Sequence, residues 1–199
     1  ITIMSVLTWI KQRLARNSDS LEQSRPQTEL RTVFHQTQMP NISLPIIQTY
    51  PLVVPMNRED IFAYQLHCLL TYQGKEALNT LLSQAGFHTL PEQTVNFNGF
   101  IEHPTQATCV LLNQYDDFAG VCITLVTNDK PLLEALIRFK SAPPNPWESF
   151  PNIDPDTLGS LQGNIDFWCS YFWRPYWLSL SEAERLQYPE NWREFSEFH

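Results

Sequence analysis

The middle of the chain carries hydrophobic residues at helical spacing. Asn57 is a typical N-cap residue, and acidic Glu59 and Asp60 follow it where a first helical turn would lie. The pattern predicts one helix from Asn57 to Leu70 and a second from Gly74 to Gly86, which ends at a glycine suited to a left-handed cap. The short break between them predicts an antiparallel helical hairpin.

The next part of the chain is rich in β-branched and aliphatic residues. A short strand is predicted at residues 94–101, and two more at residues 107–113 and 120–127. The polar and aromatic segment QYDDFA joins the last two strands. These two strands therefore form a predicted β-hairpin, with residues 114–119 in its loop.

Proline and glycine divide the remainder into short helices. Three local signals each predict a helix start: Asp129 with Pro131, Asp154 with Pro155, and Ser181 with Glu184 as a capping box. Pro143 and Pro144 are expected to end the first of these helices, and Pro175 is expected to break or kink another that begins near Gly163. At the end of the chain, aromatic residues at positions 192, 195 and 198 predict an amphipathic tail.

The two ends of this region set the predicted domain organisation. Residues 1–16 place Val6, Leu7, Ile10 and Leu14 on one side of a predicted amphipathic helix. Residues 17–44 are rich in Ser, Gln and Thr and are expected to be a polar linker. Residues 45–199 are predicted to form a single α+β domain, with helices packed on a small antiparallel sheet.

Composition and charge narrow the class of partner. Hydrophobic residues make up 43% of the 199 positions and charged residues 17%, which is enough to bury a substantial core. The net charge of −8 and the pI near 5.0 argue against nucleic-acid binding, because the Lys and Arg residues form no basic stripe. The acidity is interpreted either as a means of solubility or as complementarity to a cationic partner.

The four cysteines indicate a reducing compartment. Cys68, Cys109, Cys122 and Cys169 are widely spaced, and each stands among apolar residues. With no signal peptide or apolar span expected at the N-terminus, they are interpreted as buried thiols of a cytoplasmic protein. A disulfide between Cys109 and Cys122 is the alternative. No C-x-x-C pair supports a zinc site, and no metal or cofactor is expected.

Candidates for catalysis are few. Asp116 and Asp117 are paired carboxylates that could activate water or bind a metal, although a solvated turn also explains them. His103, beside Glu102, is another candidate for a hydrolase. His67 and Cys68 are adjacent, and on a helix their side chains would point in different directions, so they are not expected to act as a dyad.

In the segment FWCSYFWRPYWLSL, residues 167–180, seven of the fourteen residues are aromatic. It is too short to span a bilayer. A buried core, a docking patch and a sugar-stacking site are the three interpretations, because aromatic residues dominate both cores and interface hot spots. The docking interpretation assigns partner binding to six residues: Trp173, Tyr176, Trp177, Tyr115, Asp116 and Asp117.

The longer segment GSLQGNIDFWCSYFWRPYWLSLSEAERLQY resembles the tryptophan-rich C-terminal part of bacterial immunity proteins encoded beside polymorphic toxins. This resemblance implies a non-enzymatic protein that neutralises a toxin by binding it. The function expected from the sequence is therefore a cytoplasmic immunity-type binding protein with a protein partner, for which a basic toxin domain is the candidate. A hydrolase that uses Asp116, Asp117 or His103, and a structural subunit of a larger assembly, are the alternatives.

Overall fold

A computed structural model describes residues 27–35, 39–46, 48–90 and 96–199. The predicted helix at residues 1–16 lies outside the described residues. The strands are β1 (Val53–Pro55), β2 (Tyr64–Leu70), β3 (Phe97–Glu102), β4 (Cys109–Asp117) and β5 (Gly120–Thr127). The α-helices are α1 (Gln27–Val33), α2 (Tyr72–Gln84), α3 (Lys130–Arg138), α4 (Pro146–Ser149), α5 (Gly163–Trp168), α6 (Arg174–Ser179), α7 (Glu182–Arg185) and α8 (Glu190–Phe198). Single 3₁₀ turns lie at Asn57–Glu59 and Pro155–Thr157, and a π-helical turn, Cys169–Trp173, joins α5 to α6.

The five strands form one antiparallel sheet in the order β1-β2-β5-β4-β3. All eight residues of the middle strand β5 are buried. A strand that is buried on both faces needs cover on both sides of the sheet. The architecture is therefore α+β, as the sequence predicted, with separate layers on the two faces.

The first face packs against α2 and α3. Leu66, Leu112 and Leu125 lie on it, together with Leu78 of α2 and Leu136 of α3. The boundaries of both helices follow local chemistry that is visible in the sequence. The carboxylate of Asp129 accepts a hydrogen bond of 2.8 Å from the backbone of Leu132, and Gly86 adopts a φ of 91° at the end of α2.

The second face packs against the aromatic residues of the C-terminal third, which we term the aromatic layer: Phe167, Trp168, Phe172, Trp173, Trp177, Trp192 and Phe195. Leu69 of β2 and Cys122 of β5 contact this layer from the sheet. Phe150 also packs against the layer, with its ring 5.2 Å from that of Trp168. The predicted capping box of Ser181 and Glu184 is also present at the start of α7.

Of the two predicted effects of Pro175, a break or a kink, the break does not occur; the helix instead has a π-helical turn directly before the proline. The π turn lets the chain continue, because the backbone N–H of Arg174 bonds the carbonyl of Cys169, five residues earlier. Pro175 then falls in the first turn of α6, where the missing N–H of proline is tolerated. The aromatic segment is consequently one continuous helical run from Gly163 to Ser179.

Residues 57–70 are not a helix. Only a 3₁₀ turn forms at Asn57–Glu59, and β2 follows from Tyr64 to Leu70. Tyr64, Leu66, Cys68 and Leu70 alternate onto the first face, while Leu69 is buried on the second. A strand that is buried on one face alternates apolar and polar residues. Because β2 is buried on both faces, apolar residues also occupy positions in between, and the resulting pattern matches helical spacing as well.

The predicted linker at residues 17–44 contains a helix in its described part. Leu30 of α1 and Phe34 just after it are buried at 1% and 0% exposure. They pack with Met56, Ile61 and Val126 in a small cluster on the second face of the sheet. Two apolar residues four positions apart are enough to dock one amphipathic turn, although the surrounding segment is polar.

Candidate partner-binding surface

The β4–β5 hairpin ends in a two-residue turn that is anchored in the core. Phe118 and Ala119 occupy it with φ angles of 52° and 59°, the left-handed values that a tight type I′ turn requires. The Phe118 ring is buried, 5.7 Å from that of Phe150, and its carbonyl accepts a hydrogen bond of 2.9 Å from Ser149. The side chain of Phe118 thus holds the turn in a conformation that is unusual for a bulky residue.

Gly120 completes the turn because no side chain fits there. A Cβ at this position would collide with the carbonyl oxygen of Leu70 and lie 2.7 Å from Cγ of Pro144. The hairpin, the end of β2 and the proline-rich segment therefore meet at this point. The predicted site residues Tyr115, Asp116 and Asp117 lie at a tip that is fixed on several sides.

Tyr115 and Asp116 belong to β4, not to a loop, and Asp117 is the last residue of that strand. Successive side chains of a strand point to opposite faces. Asp116 is exposed beside α2, whereas Tyr115 packs against the aromatic layer on the other face. Asp117 shares the face of Tyr115, and its carboxylate accepts a hydrogen bond of 2.9 Å from the backbone of Phe118.

This alternation separates the two carboxylates. Asp116 and Asp117 are neighbours in sequence but lie on opposite faces, so they form no shared site for a metal ion or a water molecule. Among the residues that the structure describes, no three His, Cys, Asp or Glu side chains are grouped closely enough to hold a metal.

Tyr72 is the site residue that the sequence analysis missed. Its side chain is 55% exposed, and its hydroxyl donates a hydrogen bond of 3.3 Å to Oδ2 of Asp116. Partial burial, followed by the nearby Asp116 carboxylate, raises the pKa of the Tyr72 phenol. Tyr72 was placed in the break between two predicted helices; in the structure it opens α2, next to the N-cap Thr71. We call Tyr72, Tyr115, Asp116 and Asp117 the hairpin-tip surface.

Trp173 and Trp177 do not form an exposed docking patch. Each is only 1% exposed, and their rings are stacked with centroids 6.0 Å apart. The indole N–H of Trp173 donates a hydrogen bond of 2.7 Å to the hydroxyl of Ser196, which is itself buried. For these two residues the core interpretation describes the structure.

Tyr176 is neither fully buried, like Trp173 and Trp177, nor fully exposed. It is half-buried, and its hydroxyl is 3.0 Å from that of Tyr188. Its ring also meets that of Tyr50 edge-on at 5.7 Å, so it links the aromatic layer to the cluster under α2 and α3. Trp168, which the sequence analysis placed in the core, is fully buried.

The histidines named as candidates have structural contacts. In His103, Nε2 lies 3.2 Å from the carbonyl of Ala85, and Nδ1 accepts hydrogen bonds from the backbone of Thr105 and Gln106. In His67, Nδ1 lies 2.9 Å from the hydroxyl of Thr124, while Nε2 is sealed without a hydrogen-bond partner. Burial lowers the pKa of His67 to about 4, so this imidazole is neutral at pH 7.

The thiols are free, and Cys109 cannot pair with Cys122. In the sheet, Cys109 lies opposite Glu102 and Cys122 opposite Tyr115, so the two cysteines sit toward opposite ends of the hairpin. Burial raises the pKa of Cys109 to about 11, and its neighbour Glu102 adds to the shift.

Two further observations bear on the class of protein. None of the described helices has both the length and the apolar character needed to cross a bilayer. Comparison with protein-family models, with curated proteins and with solved structures finds no match to this chain. The surface is therefore interpreted from its own geometry.

Proposed function

We propose that this chain is a cytoplasmic, non-enzymatic binding protein of the immunity type, which neutralises a cognate toxin by direct contact. The observation that carries the proposal is the pair formed by Tyr72 and Asp116, an exposed tyrosine whose hydroxyl meets an exposed carboxylate. Tyrosine is enriched among interface residues that contribute most of the binding free energy. A carboxylate beside it, on a chain with a net charge of −8, suits a basic partner.

The rigidity of the tip supports the same proposal. The turn is held by Phe118, which packs against the aromatic layer, and by the hydrogen bond from Ser149. A surface that is already ordered loses little conformational entropy on binding, which leaves more of the contact energy for affinity. Tyr115 and Asp117 extend the surface around the end of the hairpin to the other face of the sheet.

The test is co-expression in a bacterial host with a candidate toxin domain, sought among the products of adjacent genes. We expect wild-type protein to protect the cells and to elute with the toxin as one complex. The double variant Tyr72→Ala, Asp116→Lys should lose protection while keeping its melting temperature, because both side chains are largely exposed. Association should also slow as salt rises, since screening weakens attraction between opposite charges.

The matched control is Glu194→Lys, which makes the same charge reversal on the exposed side of α8. It should protect as well as wild type. A toxin that forms no complex with wild-type protein would contradict the proposed function. Equal protection by the double variant would contradict the assignment to the hairpin tip.

A further inference from the structure

A cleft of about 490 Å³ lies at the end of the aromatic layer. None of the residues that line it belongs to the hairpin-tip surface. We call it the C-terminal cleft. Its lining includes Leu161 before α5, Asp166 of α5, Cys169 and Ser170 of the π turn, and Phe198 and His199 at the end of α8. Its volume is within the range of small-ligand sites.

The charge of the lining is negative. Asp166 supplies a carboxylate, and Ser170, four residues later, supplies a hydroxyl; both residues are exposed. Of the described residues that line the cleft, none is Lys or Arg. Arg174 lies beside the lining: its guanidinium donates to the backbone oxygen of His199, and its charge acts on the thiol of Cys169 and partly offsets the rise in the pKa of that thiol. Burial raises the pKa of the Cys169 thiol to about 11, so this group is neutral and adds no charge.

The apolar part of the lining is an open platform. Phe198 is 80% exposed, and the ring of His199 meets it edge-on at 4.9 Å. An exposed aromatic face attracts cations through its quadrupole and covers aliphatic groups by contact. An exposed phenylalanine on a helix whose other aromatic residues are buried contributes nothing to the core.

The backbone is also irregular at this point. Cys169 and Ser170 open the π turn, and π turns inserted in α-helices occur frequently at functional sites. Two residues of the cleft lining, Cys169 and Ser170, therefore belong to the π turn.

We propose that the C-terminal cleft binds a small organic cation, an ammonium or guanidinium group on an apolar stem. Asp166 pairs with the charged group, Ser170 accepts one of its hydrogen bonds, and Leu161 and Phe198 cover the stem. A free diamine and a lysine side chain of a protein both carry an ammonium group on an apolar stem, so the probes must distinguish these two sources. The site does not depend on the proposed toxin.

The experiment is a titration of ¹⁵N-labelled protein followed by amide chemical shifts. The probes are N-acetyl-L-lysine methylamide, cadaverine, and uncharged N-acetyl-L-norleucine methylamide. We expect at least one cationic probe to bind with a dissociation constant of roughly 1 mM and to shift residues 159–170, 198 and 199. Tighter binding of the blocked lysine would identify a protein side chain as the ligand, and tighter binding of cadaverine a free amine.

Asp166→Asn should weaken binding about tenfold, because a charge-assisted hydrogen bond is replaced by a neutral one. Asp156→Asn removes the same charge from an exposed residue outside the lining and should bind as wild type. The spectra of both variants report whether the fold is kept, and Ser170→Ala gives a second, milder change in the same site. No saturable shift with either cation, equal binding of the norleucine probe, or unchanged affinity in Asp166→Asn would each overturn the proposal.

Discussion

Acid should destabilise this protein through His67, and the effect can be isolated. The imidazole lies on the second face of the sheet, where Nδ1 meets the hydroxyl of Thr124 at 2.9 Å and the rings of Tyr171 and Phe172 cover it at 6.2 and 5.2 Å. Nε2 is sealed and has no acceptor. A proton added there would be a buried charge with no partner.

The magnitude follows from the shifted pKa. Burial lowers the pKa of His67 from 6.5 to about 4, and one pKa unit corresponds to about 1.4 kcal/mol. The unfolded chain therefore binds a proton as the pH falls below 6.5, while the folded chain does not until about pH 4. Stability is fully present above pH 6.5 and falls through this window, by about 3.5 kcal/mol in all and about 2.5 kcal/mol by pH 4.5.

The assay is urea denaturation of wild type and His67→Gln at pH 7.5 and pH 4.5. Glutamine keeps a polar group near Thr124 and does not titrate. Carboxylates and the other histidines titrate in both proteins, so their contribution cancels when the two pH effects are subtracted. We expect wild type to lose about 2 to 3 kcal/mol more than the variant over this interval. Equal losses in the two proteins would refute the reasoning, since His67 would then titrate in the folded state as it does when unfolded.

Three further outcomes are expected. Gly120→Ala should lower the free energy of unfolding by about 1 to 3 kcal/mol because its methyl group has no room, whereas Gly159→Ala, with open space around it, should be close to neutral in the same denaturation assay. Trp177→Ala should cost about 3 to 5 kcal/mol and lower the melting temperature by many degrees, and a melt like that of wild type would contradict its burial. Without denaturant, a thiol reagent should modify half-buried Cys109 first and fully buried Cys122 only slowly, which a time course by mass spectrometry would check; a rapid reaction of Cys122 would show that the sheet opens.

Features that depend on a few neighbouring residues were predictable from the sequence. The N-cap at Asp129, the capping box of Ser181 and Glu184, and the left-handed end at Gly86 are all confirmed. Each involves hydrogen bonds or backbone angles within about four residues, so the sequence contains the whole interaction. The β4–β5 hairpin is confirmed for the same reason, although its turn is shorter than the predicted loop.

The candidate site was only partly predictable. Asp116 was identified, but its partner Tyr72 is 44 residues away, and the two meet only because β2, β5 and β4 are adjacent in the sheet. The separation of Asp116 from Asp117 likewise depends on the strand extending as far as the turn.

The sequence by itself determined the α+β class, the helix starts at Asp129 and Ser181, and the hairpin, because these are local consequences of capping, proline and alternation. Only the tertiary structure decided whether Asn57–Leu70 was helix or strand, since residues buried on both faces of a sheet fit either period. The tertiary structure also decided whether the aromatic segment is buried or exposed. Tryptophan residues such as Trp173 and Trp177 are typical both of a core and of a docking patch, so the sequence does not distinguish the two. The sheet below them, together with Ser196 and Tyr188 beside them, places them inside.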